Sequence, residues 1–294
     1  MLHRTQTVAS VSPGAEECWI DLGGHRLRYL KAGSGPNLVL IHGLLGYSFS
    51  WRFNIPELSR HFTVYAPDLL GVGFSERVPG LDCRLRVSAE RMLRFLDELE
   101  IESADVLGTS HGGGIAVHMA AREREAVIEG KGRIRRLILV APVNPWSPHG
   151  RLWARIVASG PGCFLFRNLF PHVRPVYPYF HARMYGDKAR IPSDSAEGYR
   201  KPLRIRGTVD TLLKIADCWN SDLDALKDAL AAIANMPTLL IWGDRDRAVP
   251  VTSAQDVAAQ FRGAELVIMK GAGHLPYEER PEEFNRILQE FLER

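Results

Sequence analysis

The sequence has few cysteines, no long hydrophobic run and no large excess of either charge. Its four cysteines are scattered over 294 residues without a C-x-x-C pair, which is typical of reduced thiols and not of a disulfide framework. No stretch approaches the roughly 20 apolar residues of a membrane span. The first fifteen residues also lack the apolar run of a signal peptide. We therefore expect a cytoplasmic protein without an integral membrane segment.

Charge and ligand spacing exclude further classes of partner. The 37 basic and 34 acidic side chains give a formal net charge of +3, which is too small to indicate nucleic-acid binding. No histidine, cysteine or carboxylate spacing typical of a zinc or calcium site occurs, so we predict no metal and no cofactor. The expected partner is a small molecule, and the sequence is compatible with a monomer or a homodimer.

Short apolar runs alternate with helix-forming segments along most of the chain. The predicted strands are residues 18–22, 26–31, 37–41, 62–66, 104–107, 137–140, 239–242 and 266–269. Helices are predicted at 51–60, from Ser88 as a cap, at 111–124, around 223–233, at 253–261 and from about 281. This alternation predicts a mostly parallel sheet covered by helices on both faces.

Three stretches depart from the alternation. Residues 1–15 are predicted to be a loose tail, and the charged residues 123–136 to be an exposed extension or loop. Residues 146–220 are rich in proline, aromatic residues and arginine, and contain no strand-like apolar run. We expect this last stretch to be organised differently from the rest of the chain.

The most informative motif is the G-x-S-x-G sequence of residues 108–112. It follows a buried strand and precedes a helix, so a sharp turn there would expose Ser110 in a strained backbone conformation. Gly108 and Gly112 would remove side chains that collide where the chain doubles back. The free N–H groups at the start of the helix suit a developing oxyanion. The motif indicates a nucleophilic serine if the rest of the chain supplies a base and an acid.

Three further strands end in polar segments that contain glycine. They are followed by residues 42–44 (His-Gly-Leu), 243–246 (Gly-Asp-Arg-Asp) and 271–274 (Gly-Ala-Gly-His). Because active residues lie at the carboxyl ends of parallel strands, these segments should meet near Ser110. A serine, an aspartate and a histidine thus occur in the chain order of one particular catalytic triad.

With these motifs in place, the sequence resembles the α/β-hydrolase fold family over nearly all of residues 25–294. The motifs that carry the resemblance are residues 42–43, 68–75, 108–113, 242–246 and 273–278. The family fold implies a mostly parallel eight-stranded sheet flanked by helices, with a helical cap inserted after the sixth strand. It implies a core of residues 16–145 and 221–294 and a cap of residues 146–220.

The resemblance also implies a role for each site residue. Ser110 would be the nucleophile, His274 the base and later the acid, and Asp246 the group that orients the imidazole. The backbone N–H groups of Leu44 and His111 would form the oxyanion hole. Asp244 competes with Asp246 for the role of acid, but the family pattern favours Asp246 and leaves Asp244 as a loop-capping group.

The cap is expected to line the substrate pocket and to set specificity. Its aromatic residues suit an apolar or aromatic acyl group, and our pocket candidates are His42, Trp146, Trp153 and Phe180. His42 is more simply explained as a brace for the oxyanion loop, and most cap aromatics as packing. The nine arginines of the cap outnumber its acidic residues, which leaves open contact with an anionic substrate group or lipid surface.

Three functions fit these features. A cofactor-independent serine hydrolase of carboxylic esters is the first hypothesis. The same triad could instead hydrolyse a carbon–carbon bond of a ring-cleavage product or transfer an acyl group. Carbon–carbon hydrolases of this fold usually carry tryptophan after the catalytic histidine, whereas this chain has Leu275. A ligand receptor is the third hypothesis, although such relatives often lose a triad member, and none is missing here. In dehalogenase-like relatives the nucleophile is an aspartate that stands in place of the elbow serine, which is Ser110 here. Asp68 lies at another strand end and is therefore interpreted as a turn former.

Overall fold

A single twisted sheet organises the computed structural model, which describes residues 6–7, 12–126, 132–147, 150–170 and 177–294. Its eight longer strands are β1 Glu16–Asp21, β2 Arg26–Ala32, β3 Asn37–Ile41, β4 Thr63–Pro67, β5 Ala104–Thr109, β6 Ile134–Val140, β7 Thr238–Gly243 and β8 Glu265–Met269. A ninth strand, Gln6–Thr7, has only two residues and pairs antiparallel with β1. The strand order is β1-β2-β4-β3-β5-β6-β7-β8. The eight predicted strands are confirmed.

The register makes the sheet mostly parallel. Strands β3 to β8 run parallel to one another, whereas β2 is antiparallel to both of its neighbours, β1 and β4. In the central strands β3 and β5 almost every residue is buried, because helices cover both faces of the sheet. The carboxyl ends of the parallel strands therefore share one edge, as the sequence predicts.

Eleven helices surround the sheet in the described part of the chain. They are α1 Ile55–Leu58, α2 Leu85–Glu98, α3 His111–Ala126, α4 Arg151–Ala158, α5 Gly160–Leu169, α6 Tyr177–Ala182, α7 Ser195–Arg200, α8 Thr208–Ala232, α9 Ala254–Ala258, α10 Pro276–Glu279 and α11 Pro281–Leu292. One buried apolar cluster lies between the sheet and α2, α3, α8 and α9. A second lies between the opposite face and α1 and α11. The helical insertion follows β6, the sixth of the longer strands.

Strand β6 begins three residues before the predicted start at 137. The sequence predicts a charged loop there because Arg135 and Arg136 precede the apolar run. Arg135 instead donates a 2.6 Å hydrogen bond to the buried Asp105 carboxylate of β5. A cross-strand ion pair thus lets charged residues extend the sheet. Of the rest of the predicted loop, residues 123–126 belong to α3, and residues 132–133 precede β6 without regular secondary structure. Residues 127–131 lie outside the described residues.

Helix α2 begins at Leu85, so the prediction of Ser88 as its cap is wrong. The cap comes from a distant part of the chain, because the Asp222 carboxylate of α8 accepts the Leu85 N–H at 3.1 Å. Local sequence cannot show such a partner. Helix α8 is also continuous across residue 220, the predicted end of the cap, and its second half packs against α3. The division into core and cap stays a prediction.

The predicted loose tail of residues 1–15 is only partly described. Gln6–Thr7 pairs with Glu16 and Glu17 of β1, and Ala15 is buried. Residues 1–5 and 8–11 lie outside the described residues. The Gln6–Thr7 part of the predicted tail thus belongs to the sheet.

The buried Asp222 carboxylate that caps α2 predicts that the stability of the fold depends on pH. Burial raises the pKa of Asp222 to about 6, so the folded state favours the protonated carboxyl and loses stability as pH rises from about 4 to 6. Asp222→Asn keeps an oxygen acceptor for the Leu85 N–H and removes the buried charge. We expect it to raise the free energy of unfolding at pH 7 by up to about 3 kcal/mol.

Urea unfolding at pH 7 and pH 4 measures the effect. The gain should vanish at pH 4, where the wild-type carboxyl is already protonated. The exposed Asp228→Asn on the same helix is the control and should change little at either pH. A loss of stability at pH 7 in Asp222→Asn would contradict the account.

Candidate active site

Ser110 occupies a strained turn between β5 and α3. Its φ is 51°, in the left-handed region that a residue with a side chain rarely adopts. A Cβ on Gly108 would lie 2.4 Å from the Gly112 carbonyl oxygen, and a Cβ on Gly112 would lie 2.3 Å from the His42 carbonyl oxygen. Both glycines are therefore required for the chain to double back, as the sequence predicts.

Backbone hydrogen bonds hold this turn in place. The Ser110 N–H donates to the Val140 carbonyl at 2.9 Å. The Ser110 carbonyl accepts the N–H of Gly113 at 2.9 Å and of Val143 at 3.0 Å. Helix α3 begins at His111, so the positive end of its dipole lies beside Ser110. Hydrogen bonds from β6 and from α3 thus hold the turn from two sides, which allows the strained conformation of Ser110 to persist.

Asp246 and His274 form a buried hydrogen-bonded pair. The His274 Nδ1 and the Asp246 Oδ2 are 2.7 Å apart, so Nδ1 carries the proton that the carboxylate accepts. The other oxygen of Asp246 accepts the N–H groups of Ala248 at 2.7 Å and Val249 at 2.9 Å. Nδ1 as donor leaves Nε2 of His274 as the basic nitrogen.

Asp244 and Asp68 have other surroundings. The Asp244 carboxylate accepts the Gly271 N–H at 2.6 Å and therefore holds two loops together at the surface. Asp68 is fully buried, pairs with Arg28 at 3.0 Å and accepts the N–H groups of Ser48 and Phe74, both at 2.8 Å. These contacts match the loop-capping and turn-forming roles expected from sequence.

The loop after β3 contains Leu44 and rests on His42. The His42 Nδ1 donates to the Gly43 carbonyl at 2.9 Å, and its Nε2 accepts the Leu69 N–H at 3.1 Å. Burial lowers the pKa of His42, which keeps the ring neutral and suited to both bonds. This geometry is that of a brace. Leu44 is partly exposed and lines the same cavities as Ser110.

His111 follows Ser110 and is the first residue of α3, so its backbone N–H lies at the start of the helix. Its ring is buried, and burial lowers its pKa to about 4. The ring is stacked on Trp219 of α8, with centroids 6.1 Å apart and an angle of 15° between the planes. The neutral ring therefore packs α3 against the helical insertion.

Two cavities meet at Ser110 and His274. The first, which we call the phenolic cavity, has a volume of about 180 Å³ and also contains Tyr177, His181 and Tyr199. The second, which we call the Ser147 cavity, has a volume of about 210 Å³. Its other lining residues include Asn144, Ser147 and Trp219.

A third, apolar cavity of about 250 Å³ adjoins these two. It lies between α4, α5 and α8 and shares Leu44 and Leu45 with both cavities of Ser110. Trp153, Phe166 and Phe170 line it. An apolar group bound near Ser110 could extend along Leu44 and Leu45 into this space.

The structure places the four pocket candidates from the sequence in different surroundings. Phe180 lines the phenolic cavity, and Trp153 lines the apolar cavity with 70% of its surface exposed. Trp146 packs against the buried cluster under α2 and α3 and lines neither cavity of Ser110. His42 lies behind the oxyanion loop and is also absent from their walls.

Sequence reasoning missed a buried network around Glu278. Its Oε2 accepts Arg52 at 3.0 Å, the Tyr185 hydroxyl at 2.8 Å and the Ser195 hydroxyl at 3.1 Å, and its Oε1 accepts the Tyr199 hydroxyl. Burial and the Glu278 charge raise the pKa of Tyr199. The network joins the helical insertion to the core beneath the phenolic cavity.

His181 belongs to the same network. Its Nε2 lies 2.9 Å from the Ser195 hydroxyl, and burial lowers its pKa to about 4. In the sequence, His181 is one of three histidines of residues 146–220, which have no ligand-like spacing. The other two, His149 and His172, lie outside the described residues. Glu278 stands in the motif of residues 273–278, four positions after His274, and that proximity was the available signal.

Within the described ranges, no helix is long and apolar enough to span a bilayer. The same residues contain no group of three or more His, Cys, Asp or Glu side chains placed to hold a metal ion.

Comparison with known proteins agrees with this geometry. The profile of the alpha/beta hydrolase fold matches residues 36–281. A 2-hydroxymuconate semialdehyde hydrolase of Pseudomonas sp. strain CF600 is 29% identical over 276 residues, which cover 92% of this chain and 91% of that protein. Haloalkane dehalogenase 2 of Mycobacterium bovis is 29% identical over 291 residues, which cover 95% and 94%.

Solved structures show the same fold. The meta-cleavage product hydrolase of Pseudomonas fluorescens IP01 is 25% identical and superposes with a TM-score of 0.75, covering 94% of this chain and 97% of that one.

Proposed function

Because the chain belongs to the alpha/beta hydrolase fold family, we propose that it is a serine hydrolase of carboxylic esters with apolar or aromatic acyl groups. The observation that carries the proposal is the 2.7 Å His274–Asp246 pair, whose histidine lines the same cavities as the strained Ser110. No metal or cofactor takes part in the proposed reaction.

The proposed mechanism has two halves. The Ser110 hydroxyl attacks the ester carbonyl while Nε2 of His274 takes its proton, and Asp246 stabilises the imidazolium. The N–H groups of Leu44 and His111 donate to the oxyanion, and one such donor is worth about 3–4 kcal/mol of barrier. His274 returns the proton to the leaving alcohol. Water, deprotonated by His274, then cleaves the acyl-enzyme, and the proton returns to Ser110.

The walls of the cavities support an uncharged substrate. Among the described residues, neither cavity of Ser110 is lined by Lys or Arg. An anionic group buried there would lack a cationic partner, which costs several kcal/mol. Simple esters meet this condition.

Carbon–carbon bond hydrolysis by the same triad is the second candidate. It is favoured by the similarity to the 2-hydroxymuconate semialdehyde hydrolase. Its substrates carry a carboxylate, for which the described walls offer no cation, and Leu275 follows His274 where such enzymes usually have tryptophan. Acyl transfer to an alcohol other than water remains a variant of the ester reaction. Dehalogenation is disfavoured because Ser110 stands where those relatives have an aspartate nucleophile.

We further propose that the helical insertion contacts anionic membranes. Helices α4 and α5 expose the large apolar side chains Leu152, Trp153, Ile156, Phe164, Leu165 and Leu169. Residues 150–170 contain three arginines and no acidic residue; Arg151 and Arg167 pair with Asp224 and Asp210 of α8, and Arg155 is the third. Exposed aromatic and aliphatic groups with a surplus of cations are typical of helices that lie in the interface of an anionic bilayer. The apolar cavity opens between the same helices. We assign the protein to the cytoplasm, with peripheral membrane contact.

The triad predicts a large and specific loss of activity. Ser110→Ala should lower kcat for p-nitrophenyl butyrate by a factor of about 10⁶, and Asp246→Asn by about 10⁴. Asp244→Asn is the matched control, because it changes an aspartate two positions away that only holds Gly271, and its kcat should stay within about threefold of wild type. Steady-state kinetics with each purified variant gives the comparison.

Two results would contradict this assignment. Unchanged ester turnover in Ser110→Ala would exclude Ser110 as the nucleophile. Failure of a fluorophosphonate probe to label the folded wild-type protein would favour a ligand receptor. Offering a dienol-keto acid beside the ester separates carbon–carbon from ester hydrolysis by the ratio of the two kcat/KM values.

The membrane proposal predicts selective vesicle binding. Co-sedimentation with phosphatidylglycerol-containing vesicles should exceed that with pure phosphatidylcholine by about tenfold, because the arginines add charge attraction to apolar insertion. The double variant Trp153→Ser and Phe164→Ser should lose most of this binding. Ile268→Ser, at an exposed apolar position of β8 outside the helical insertion, is the control. Equal sedimentation of all proteins, or a dimer that dissociates in the double variant, would contradict the proposal.

A further inference from the structure

Two residues that line the Ser147 cavity each carry a buried polar atom without a hydrogen-bond partner. The two atoms are the Ser147 Oγ and the Trp219 Nε1. Ser147 is only 4% exposed, and both residues line the cavity that Ser110 and His274 also line. An unpaired buried donor costs about 1–3 kcal/mol, so each such atom requires an explanation.

Asn144 fixes the position of Ser147. Its Oδ1 accepts the N–H groups of Trp146 at 3.1 Å and Ser147 at 2.9 Å. Its Nδ2 donates to the Pro142 carbonyl at 3.0 Å and to the Ser253 hydroxyl at 3.1 Å. Both donors and the acceptor of this amide are thus used to shape the turn. The Ser147 hydroxyl, in contrast, is held in the cavity wall without a partner of its own.

Trp219 is oriented by its two neighbours. His111 stacks on one face of the indole. A Cβ on Gly150 would lie 3.0 Å from Nε1, so only glycine allows the backbone to pack this closely against the indole. Gly150 and Trp219 both line the Ser147 cavity. The indole is therefore held in the wall of the cavity that Ser110 also lines.

The chemistry of this wall selects one class of ligand group. The indole N–H is only a donor, and the serine hydroxyl can donate as well. Among the described residues that line the cavity, none is Lys or Arg, so an anionic oxygen would have no counter-charge. An uncharged oxygen acceptor satisfies both atoms without that cost.

We propose that the Ser147 cavity is a subsite for an uncharged oxygen of the substrate, such as an ether, carbonyl or hydroxyl oxygen beyond the scissile ester. Ser147 and Trp219 donate to this oxygen. The proposal rests on the proposed ester hydrolysis and adds a substrate class, namely oxygenated esters in preference to hydrocarbon esters of the same shape.

Isosteric ester pairs test the subsite. In each pair an ether oxygen replaces one methylene, as in p-nitrophenyl 4-methoxybutanoate and p-nitrophenyl hexanoate, and the oxygen is moved along the acyl chain and along the alcohol. At one position, wild type should favour the ether by about tenfold in kcat/KM, as expected for recovered hydrogen bonds. Ser147→Ala and Trp219→Phe should each lower that preference about fivefold, measured as the ratio of the two kcat/KM values within each variant.

Matched controls and a second readout keep the outcomes separate. Ser221→Ala and Trp146→Phe make the same chemical changes outside the cavity and should keep the wild-type preference. Binding of the ether and hydrocarbon methyl esters to Ser110→Ala, measured by ligand-observed NMR, does not depend on turnover. If no ester is hydrolysed but the ether binds through Ser147, the proposed function fails and the subsite stands. If no ether position responds to Ser147 or Trp219 in either assay, the subsite is refuted.

Discussion

The structure depends on the close approach of three backbone segments around Ser110. The Gly112 Cα lies against the carbonyl of His42, Gly108 lies against Gly112, and a Cβ on Gly43 would sit 3.1 Å from the Ser110 Cβ. Only glycine allows β3, β5 and α3 to meet this closely. The positive φ of Ser110 follows from that packing, as do the direction of α3 and the place of the loop that carries Leu44. The chemistry proposed for Ser110 depends on this close backbone contact.

A second constraint is the buried carboxylate of Glu278. It links Arg52 of the core to Tyr185, Ser195 and Tyr199 of the helical insertion. Breaking such a buried pair typically costs about 3–5 kcal/mol, so this network holds the insertion over the sheet. It gives the phenolic cavity a fixed polar wall, whereas α4 and α5 line the adjoining apolar cavity. The two cavities therefore differ in the groups they can accept.

The sequence predicted the parts of the fold that local pattern controls. Buried apolar runs identified all eight longer strands, and the polar segments that follow them placed Ser110, Asp246 and His274 at one edge of the sheet. The parts that depend on distant partners were not predictable. Asp222 caps α2 from 137 residues away, Asp105 lets Arg135 enter β6, and Glu278 binds Ser195, which contacts His181. No spacing in the chain shows those contacts, because each joins residues that are distant in sequence.

The most direct test of the central claim is to trap the covalent intermediate. Wild-type protein mixed with p-nitrophenyl butyrate is quenched in acid within milliseconds, digested and analysed by mass spectrometry. The account predicts one butyryl group per chain, located on Ser110, and an increased share of it when Asp246 is replaced by Asn if deacylation slows more than acylation. A butyryl group on another residue, or rapid ester cleavage without any acylated Ser110, would contradict it.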